Sequence, residues 1–214
     1  GLDMRNYKHV LITHGHFAHY AREQLTGRYV TDEHWTFYLP PQTAAPERER
    51  LQKSLQGAKG NPPRRAPEIA DAVPFMPMAI MGYRVTPLPA RHAPSIGSVI
   101  YLIEKDGKAV LWDHDSGLML PETIEYLRGL DVHLDFVSLD CNLARGQNIS
   151  PYHMDILQAN ETAQLLRQMG RADEGTRFFI SHFSHLLDRT HAELCEEAKA
   201  FGFEVAYDGM EMDI

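Results

Sequence analysis

The sequence predicts a layered α/β protein, and two observations support this. Short apolar, β-branched runs alternate along the chain with longer segments of helical period, and glycine or proline separates them. No internal repeat of fixed period interrupts this alternation. The 214 residues are enough to bury a core without disulfide support, so we expect one domain over residues 1–214.

The first part of the chain predicts two strands and a proline-rich excursion. The apolar run of residues 8–13 is typical of a buried strand that leads into a loop, and residues 35–39 form a second candidate strand. Residues 40–77 hold 8 of the 13 prolines and a charged helical segment at 46–55. We therefore predict a Pro-rich insertion over residues 40–80, which is either a lid over a site or a plain surface insertion.

After Gly82 the predicted strands and helices follow one another with shorter connections. Strands are predicted at 83–88, 98–104 and 108–112, the last two joined as a hairpin by the Asp106-Gly107 turn. Thr190 and Glu193 have the spacing of a capping box for a helix that ends before Gly202. The remaining predicted elements are helices at 121–128 and 155–169, strands at 134–139 and 177–181, and a closing hairpin of 203–207 with 210–214.

Composition excludes several classes of function. The net charge of −8, from 21 basic and 29 acidic residues, opposes the phosphate-neutralising surface that nucleic-acid binding needs. No apolar run of about 18 residues exists that could span a bilayer. Two cysteines are too few for a disulfide scaffold, so a cytoplasmic location is expected.

Histidine is concentrated in one short segment. Three of the chain's 12 histidines, His14, His16 and His19, fall within six residues directly after the first predicted strand. Residues two apart in an extended chain point the same way, so His14 and His16 can face one ion, and a following turn brings His19 to a neighbouring position. Since imidazole is the commonest metal ligand, the segment predicts a metal site.

Residues 13–19, Thr-His-Gly-His-Phe-Ala-His, resemble the His-x-His-x-Asp-His signature of the metallo-β-lactamase superfamily at every ligand position except Ala18. Downstream, His92 follows a strand, Asp115-Ser116-Gly117 follows a hairpin strand, and His153 precedes a helix. The segment Ser181-His182-Phe183-Ser184-His185 follows another strand. Their order and spacing are similar to the phosphoribosyl cyclic phosphodiesterase-like branch. The resemblance implies an αββα sandwich.

The resemblance also implies a ligand set for two divalent ions about 3.5–4 Å apart. His14, His16 and His92 would hold the first ion, His19 and His182 the second, and Asp115 would bridge them. His185 competes with His182, which is preferred because it directly follows the strand. Asp113 competes with Asp115, which is preferred because it precedes the Ser-Gly turn. Zinc and manganese both suit imidazole and carboxylate ligands.

His153 is the predicted substrate contact. In the resembling enzymes, a histidine in this region lies near the scissile phosphate and assists the leaving oxygen. The alternative is an ordinary histidine at a helix N-terminus. Asp140 and Cys141, after the strand predicted to end at Leu139, are assigned no role.

Ala18 departs from the family pattern. The family's aspartate at this position binds the second ion, and a methyl group has no lone pair to offer. We therefore expect the second site to be weakened by at least the 10 to 100-fold typical of outer-shell losses. A further departure is that the histidine motif begins at position 14, which predicts missing N-terminal strands, an exposed sheet edge or apolar face, and self-association.

The predicted function is a metal-dependent hydrolase. A metal-bound hydroxide would attack a small, cyclic or acyclic phosphodiester, with Asp115 and His153 as the catalytic residues and activity impaired by Ala18. Two alternatives stay open. One is an RNA-processing nuclease of the same superfamily, which would need a basic docking surface. The other is a non-catalytic metal-binding or scaffold protein, which Ala18 favours.

Overall fold

The computed structural model describes residues 7–21, 35–57, 67–143, 145–147 and 150–214. They divide into two compact units, the first within residues 1–76 and 93–99 and the second within residues 77–92 and 100–214. The single domain over 1–214 stays a prediction. Among the described residues, no helix combines the length and the apolar character needed to cross a bilayer.

The first unit contains a parallel three-stranded sheet. Strands β1 (His9–Leu11), β2 (Thr36–Leu39) and β3 (Glu68–Asp71) lie in the order β1-β2-β3. Phe37 and Leu39 on the central strand are fully buried, while Tyr38 between them is half-buried, as alternation along a strand requires. Both strands predicted before residue 40 are therefore present, with shorter bounds.

The described part of the predicted insertion contributes to the core of the first unit. Helix α1 (Pro41–Gly57) begins five residues before the predicted helical segment, and its Ala44 side chain is buried against the sheet cluster. Proline is compatible with the first turn of a helix, so Pro41 favours this start. Strand β3 pairs with β2, so this segment is not only a surface excursion. Residues 58–66 lie outside the described residues, and a lid role stays a prediction.

The second unit contains a mixed seven-stranded sheet in the order β10-β9-β8-β7-β6-β5-β4. Strands β4 and β5 pair antiparallel, as do β6 and β7, whereas β7 to β10 pair in parallel. The strands are β4 (Met78–Ile80), β5 (Tyr83–Pro89), β6 (Val99–Lys105), β7 (Lys108–Asp113), β8 (Phe136–Asp140), β9 (Arg177–Ser181) and β10 (Glu204–Val205).

Local sequence signals account for most elements of this unit. Asp106 and Gly107 both have positive φ, 51° and 79°, which is the geometry of the tight turn predicted between β6 and β7. The capping box of Thr190 and Glu193 is confirmed at the start of one helix, and Asp155 caps another. The helices are α2 (Pro121–Gly129), α3 (Ile156–Gln168) and α4 (His191–Lys199).

The predicted closing hairpin is wrong. Only Glu204–Val205 forms a strand, and it pairs in parallel with β9, while residues 210–214 form none. The Ala206 amide donates to the Ile180 carbonyl at 3.1 Å, so the chain continues along β9 before it turns at Tyr207. The parallel partner at the sheet edge therefore replaces the hairpin partner that the Asp208-Gly209 turn suggested.

Candidate metal-binding site

His14, His16 and His19 form the N-terminal histidine group, in the first unit. After β1 the chain turns at His16, whose carbonyl accepts hydrogen bonds from the amides of His19 at 3.0 Å and Tyr20 at 2.8 Å. The turn brings the His14 ring centroid within 4.6 Å of that of His16 and 4.4 Å of that of His19. The predicted turn that swings His19 toward the other two histidines is thus present.

The ring nitrogens of this group face one another. Nε2 of buried His14 lies 2.9 Å from Nδ1 of exposed His16, and the Thr13 hydroxyl lies 3.0 Å from Nδ1 of His14. A Cβ on Gly15 would come within 2.7 Å of the Thr43 hydroxyl, so the loop needs glycine for this close approach. Two converging imidazole nitrogens are suitable ligands for one divalent ion.

Asp115, Asp140, His153 and His182 form the carboxylate–imidazole cluster, in the second unit. Each offers a nitrogen or oxygen atom within 4.8 Å of the others. Asp140 is the last residue of β8, His182 directly follows β9, and Asp115 follows β7 by two residues. Carboxyl ends of neighbouring parallel strands lie at one sheet edge, which is where α/β proteins commonly bind ligands.

Asp140 lies at the centre of this cluster and is fully buried. Its Oδ2 accepts from the Asp115 amide at 3.1 Å and lies 3.2 Å from His153 Nδ1 and 3.0 Å from His182 Nδ1. Its Oδ1 accepts from the backbone amides of Asn142 at 3.1 Å and Met154 at 3.0 Å. The Asp140 carboxylate therefore accepts from three backbone amides and contacts both imidazole rings.

These contacts set the charge of the cluster. Burial alone would raise the pKa of Asp140, but the hydrogen bonds from His153 and His182 outweigh it and lower that pKa. Burial would likewise lower the pKa of His182, yet the hydrogen bond and negative charge of Asp140, with the charge of Asp115, raise it. The metal-free cluster thus favours carboxylates paired with a protonated His182.

Sequence analysis assigned Asp140 no role and did not foresee its contacts with His153 and His182. The available signal was its position at the end of an apolar, fully buried strand, since the carboxyl ends of parallel strands lie at the edge where ligands bind. Its spacing matches no ligand motif quoted above. Cys141 is buried and has a pKa raised above its usual range by that burial, which fits its interpretation as a packing residue.

Two cluster residues have strained backbone. Asp115 and His182 adopt left-handed φ angles of 52° and 63°. Such conformations are uncommon for residues other than glycine and recur at functional sites, where surrounding contacts hold them. The two side chains approach each other, with His182 Nε2 3.4 Å from Asp115 Oδ1.

His185, His92 and His153 have different surroundings in the structure. His185 is exposed on a short 3-10 helix (His185–Leu187), and among the described residues it contributes no atom to the cluster. His92 is buried, with Nδ1 3.2 Å from the Tyr152 carbonyl and its ring 5.1 Å from that of His153. His153 precedes α3 without capping it, because Asp155 is the N-cap.

Asp113 is a buried carboxyl without a hydrogen-bond partner for either oxygen among the described residues. The nearby Ser116 hydroxyl donates to the Gly117 carbonyl at 2.9 Å, and its effect on the pKa of Asp113, which is to lower it, is smaller than the two effects that raise it. Burial and the negative charge of Asp140 raise that pKa well above its ordinary value. Both effects favour the neutral form of the Asp113 carboxyl in the metal-free protein. The preference for Asp115 over Asp113 as the ligand stays a prediction.

We expect Asp113 to make stability fall as pH rises. Its folded pKa is raised, so its contribution is complete below about pH 4 and is lost at up to about 1.4 kcal/mol per pH unit as pH rises toward the folded pKa. Urea unfolding of metal-free protein between pH 4 and 7 should give a shallower decline for Asp113→Asn. Parallel declines for the two proteins would contradict this assignment.

Gly117 permits close approach of the loop that carries His153. A Cβ at Gly117 would lie 1.9 Å from the carbonyl oxygen of Pro151. Gly117→Ala should therefore displace that backbone and destabilise the protein by roughly 1–3 kcal/mol in denaturant unfolding. Gly129→Ala is the matched control, because a Cβ there meets nothing within 4 Å. Equal stability of the two variants would refute the close approach.

The comparisons place the chain in a family. A family model described as "Beta-lactamase superfamily domain" matches residues 2–183. The chain therefore belongs to this family, within the metallo-β-lactamase superfamily of metal-dependent hydrolases. This match confirms the predicted superfamily and fold class. No curated protein matches the chain.

Solved structures support the same fold. The metallo-β-lactamase fold protein YhfI from Bacillus subtilis is 19% identical, with 98% of this chain and 78% of YhfI covered and a TM-score of 0.62. Zn(2+)-bound PqqB from Methylobacterium extorquens is 16% identical, with 96% and 73% covered and a TM-score of 0.64. Human tRNase Z, short form, is 15% identical, with 90% and 78% covered and a TM-score of 0.62. The phosphoribosyl cyclic phosphodiesterase-like branch stays a prediction.

Proposed function

We propose that the protein is a metal-dependent phosphodiesterase that acts on a small phosphodiester. The observation that carries this proposal is the carboxylate–imidazole cluster. In it, His182 Nδ1 lies 3.0 Å from Oδ2 of buried Asp140, and His182 Nε2 lies 3.4 Å from Asp115 Oδ1. A ligating histidine usually donates its other ring N–H to a carboxylate. The donor set therefore fits a divalent ion.

We further propose the full ligand set implied by the family resemblance. In this set, His14, His16 and His92 would hold one ion, His19 and His182 would hold a second, and Asp115 would serve both. Zinc or manganese suits this combination of imidazole and carboxylate. Divalent ions at such sites activate water as a nucleophile and stabilise charge that develops on phosphoryl oxygens.

His153 is proposed as the proton donor to the leaving group. Its Nδ1 lies 3.2 Å from Asp140 Oδ2 and 3.3 Å from Asp115 Oδ1, so these carboxylates orient the ring. Nε2 is then the nitrogen available to donate a proton to the departing oxygen. Its side chain is 21% exposed, which leaves it accessible to a substrate.

The test compares His182→Ala with His185→Ala, a histidine three residues away that is outside the cluster. Each substitution is made in the parent protein and in Ala18→Asp. The metal-free proteins are reloaded with zinc or manganese and assayed with bis(4-nitrophenyl) phosphate and with a small cyclic phosphodiester. We expect His182→Ala to lose hydrolysis and at least about 10-fold in metal affinity, and His185→Ala to retain both. Equal behaviour of the two variants would contradict the proposal.

RNA is the second candidate substrate, because human tRNase Z shares the fold. The net charge of −8 opposes it. Cleavage of a structured RNA at a rate above that of the small diesters, with binding that weakens steeply as salt rises, would favour the nuclease. Full metal loading without turnover of any diester would favour the non-catalytic scaffold.

A further inference from the structure

A cavity of about 770 Å³ lies in the second unit, between one face of the seven-stranded sheet and residues 206–214. Its volume is within the range of about 300–1,000 Å³ that small-molecule sites occupy. The sheet side of the cavity is formed by Val110 and Trp112 of β7, Phe136 and Ser138 of β8, and Phe179 and Ser181 of β9.

The sheet side presents aromatic rings in pairs. Trp112 and His114 have ring centroids 4.3 Å apart at 33°, and Phe136 and Phe179 are 4.9 Å apart at 38°. Trp112 remains 40% exposed, so part of its ring is accessible to a ligand. Phe136 and Phe179 are buried and form the floor, so Trp112 offers the ring surface on which a planar aromatic group can stack.

The other lining residues restrict the charge of a ligand. Glu211 and Asp213 line the tail side of the cavity and disfavour an anion there. The polar groups on the sheet side are few, with His114 Nε2 2.6 Å from the Ser138 hydroxyl and Ser181 beside them in the lining. A mostly apolar site with few polar groups fits a neutral ring that carries one hydrogen-bonding substituent.

The cavity borders the carboxylate–imidazole cluster. His114 directly precedes Asp115, Ser181 directly precedes His182, and the His114 and His182 ring centroids lie 6.3 Å apart. A group held in the cavity can therefore belong to the same molecule as a phosphoryl group at the cluster.

We infer that this cavity binds a neutral planar aromatic group, and that this group is the part of the phosphodiester that projects from the reacting phosphorus. Binding of the ring stands on the cavity alone, whereas its place in the substrate rests on the proposed function. The preferred substrates are thus aryl or heteroaryl phosphodiesters rather than alkyl ones.

The first test measures ring binding in the presence of EDTA, which makes it independent of metal. The ¹⁹F line of 4-(trifluoromethyl)phenol should broaden on addition of the protein, and the line of trifluoroethanol should not. Trp112→Ala should reduce affinity for the phenol by about 10-fold. Tyr83→Ala is the control, because Tyr83 is 41% exposed on the same sheet but does not line the cavity.

Tyr207→Ala gives a second variant, since Tyr207 lines the cavity from the tail and is 58% exposed. It should also weaken phenol binding. Equal broadening in all variants, or none in the parent protein, would overturn the inference. If a second copy of the chain covers this face instead, the parent will be dimeric by light scattering, Trp112→Ala will be monomeric, and the phenol will not bind.

The second test compares phenyl 4-nitrophenyl phosphate with methyl 4-nitrophenyl phosphate in metal-loaded protein. Both release the same leaving group, so a difference in KM reports the retained group. We expect about a 10-fold lower KM for the phenyl ester, and loss of that preference in Trp112→Ala.

Phenol binding without turnover of either ester would reject the proposed function and the substrate assignment while leaving the ring site in place. Turnover without preference would reject the assignment of the ring to the substrate and leave the proposed function in place.

Discussion

Ala18→Asp is expected to raise the affinity for a second divalent ion by at least about 10-fold. The added carboxylate supplies the oxygen ligand that the family motif has at this position and offsets one more unit of positive charge. Ala18 is exposed, so the substitution buries no new charge in the metal-free protein. Metal-to-protein ratios by mass spectrometry, over a series of free zinc concentrations, measure the change.

Phe17→Asp is the matched control, because it adds the same charge one residue away at a side chain that is 73% exposed. We expect it to leave the second-ion affinity near that of the parent. A gain shared equally by both variants would mean that general electrostatics, not ligation, attracts the ion. Turnover that appears together with the second ion in Ala18→Asp identifies a disabled hydrolase, whereas full loading without turnover identifies a scaffold.

Asp140→Asn is the second large expected effect. The amide keeps the size of the side chain but removes the negative charge that lies 3.2 Å from His153 Nδ1 and 3.0 Å from His182 Nδ1. Metal affinity should fall about 10 to 100-fold, as for other outer-shell partners of ligating histidines. Isothermal titration with zinc measures it, and Asp131→Asn, an exposed carboxylate outside the cluster, is the control.

A titration separates positioning from general loss of structure. Because Asp140 raises the pKa of His182 against the effect of burial, Asp140→Asn should lower that pKa in metal-free protein. Histidine NMR signals recorded from pH 5 to 8 report it. An unchanged pKa of His182, or unchanged zinc affinity, would show that Asp140 does not orient the cluster.

Local patterns predicted the second unit well. Alternation of apolar residues and the Asp106-Gly107 turn were enough for the β6–β7 hairpin, because a two-residue turn fixes its register. The closing hairpin was predicted wrongly because a glycine turn between two apolar runs looks the same in the sequence whether or not the two runs pair as strands. Parallel pairing of β10 with β9 depends on contacts distant in sequence, which periodicity does not contain.

The site was predicted in part. His14, His16 and His19 are close in sequence, so spacing alone indicated their convergence. Asp115, His153 and His182 could be identified only through the family resemblance, and the structure brings them together in one unit. Asp140 was missed because its importance arises from five contacts made by residues as far as 42 positions away.

We propose that these imidazoles and carboxylates bind divalent ions. The most direct measurement is anomalous scattering at the zinc absorption edge from crystals grown with zinc. We expect a strong peak beside His14 Nε2 and His16 Nδ1, and a weak or absent peak beside Asp115 and His182 that becomes strong in Ala18→Asp. Crystals of folded protein without a zinc peak at either position would contradict it.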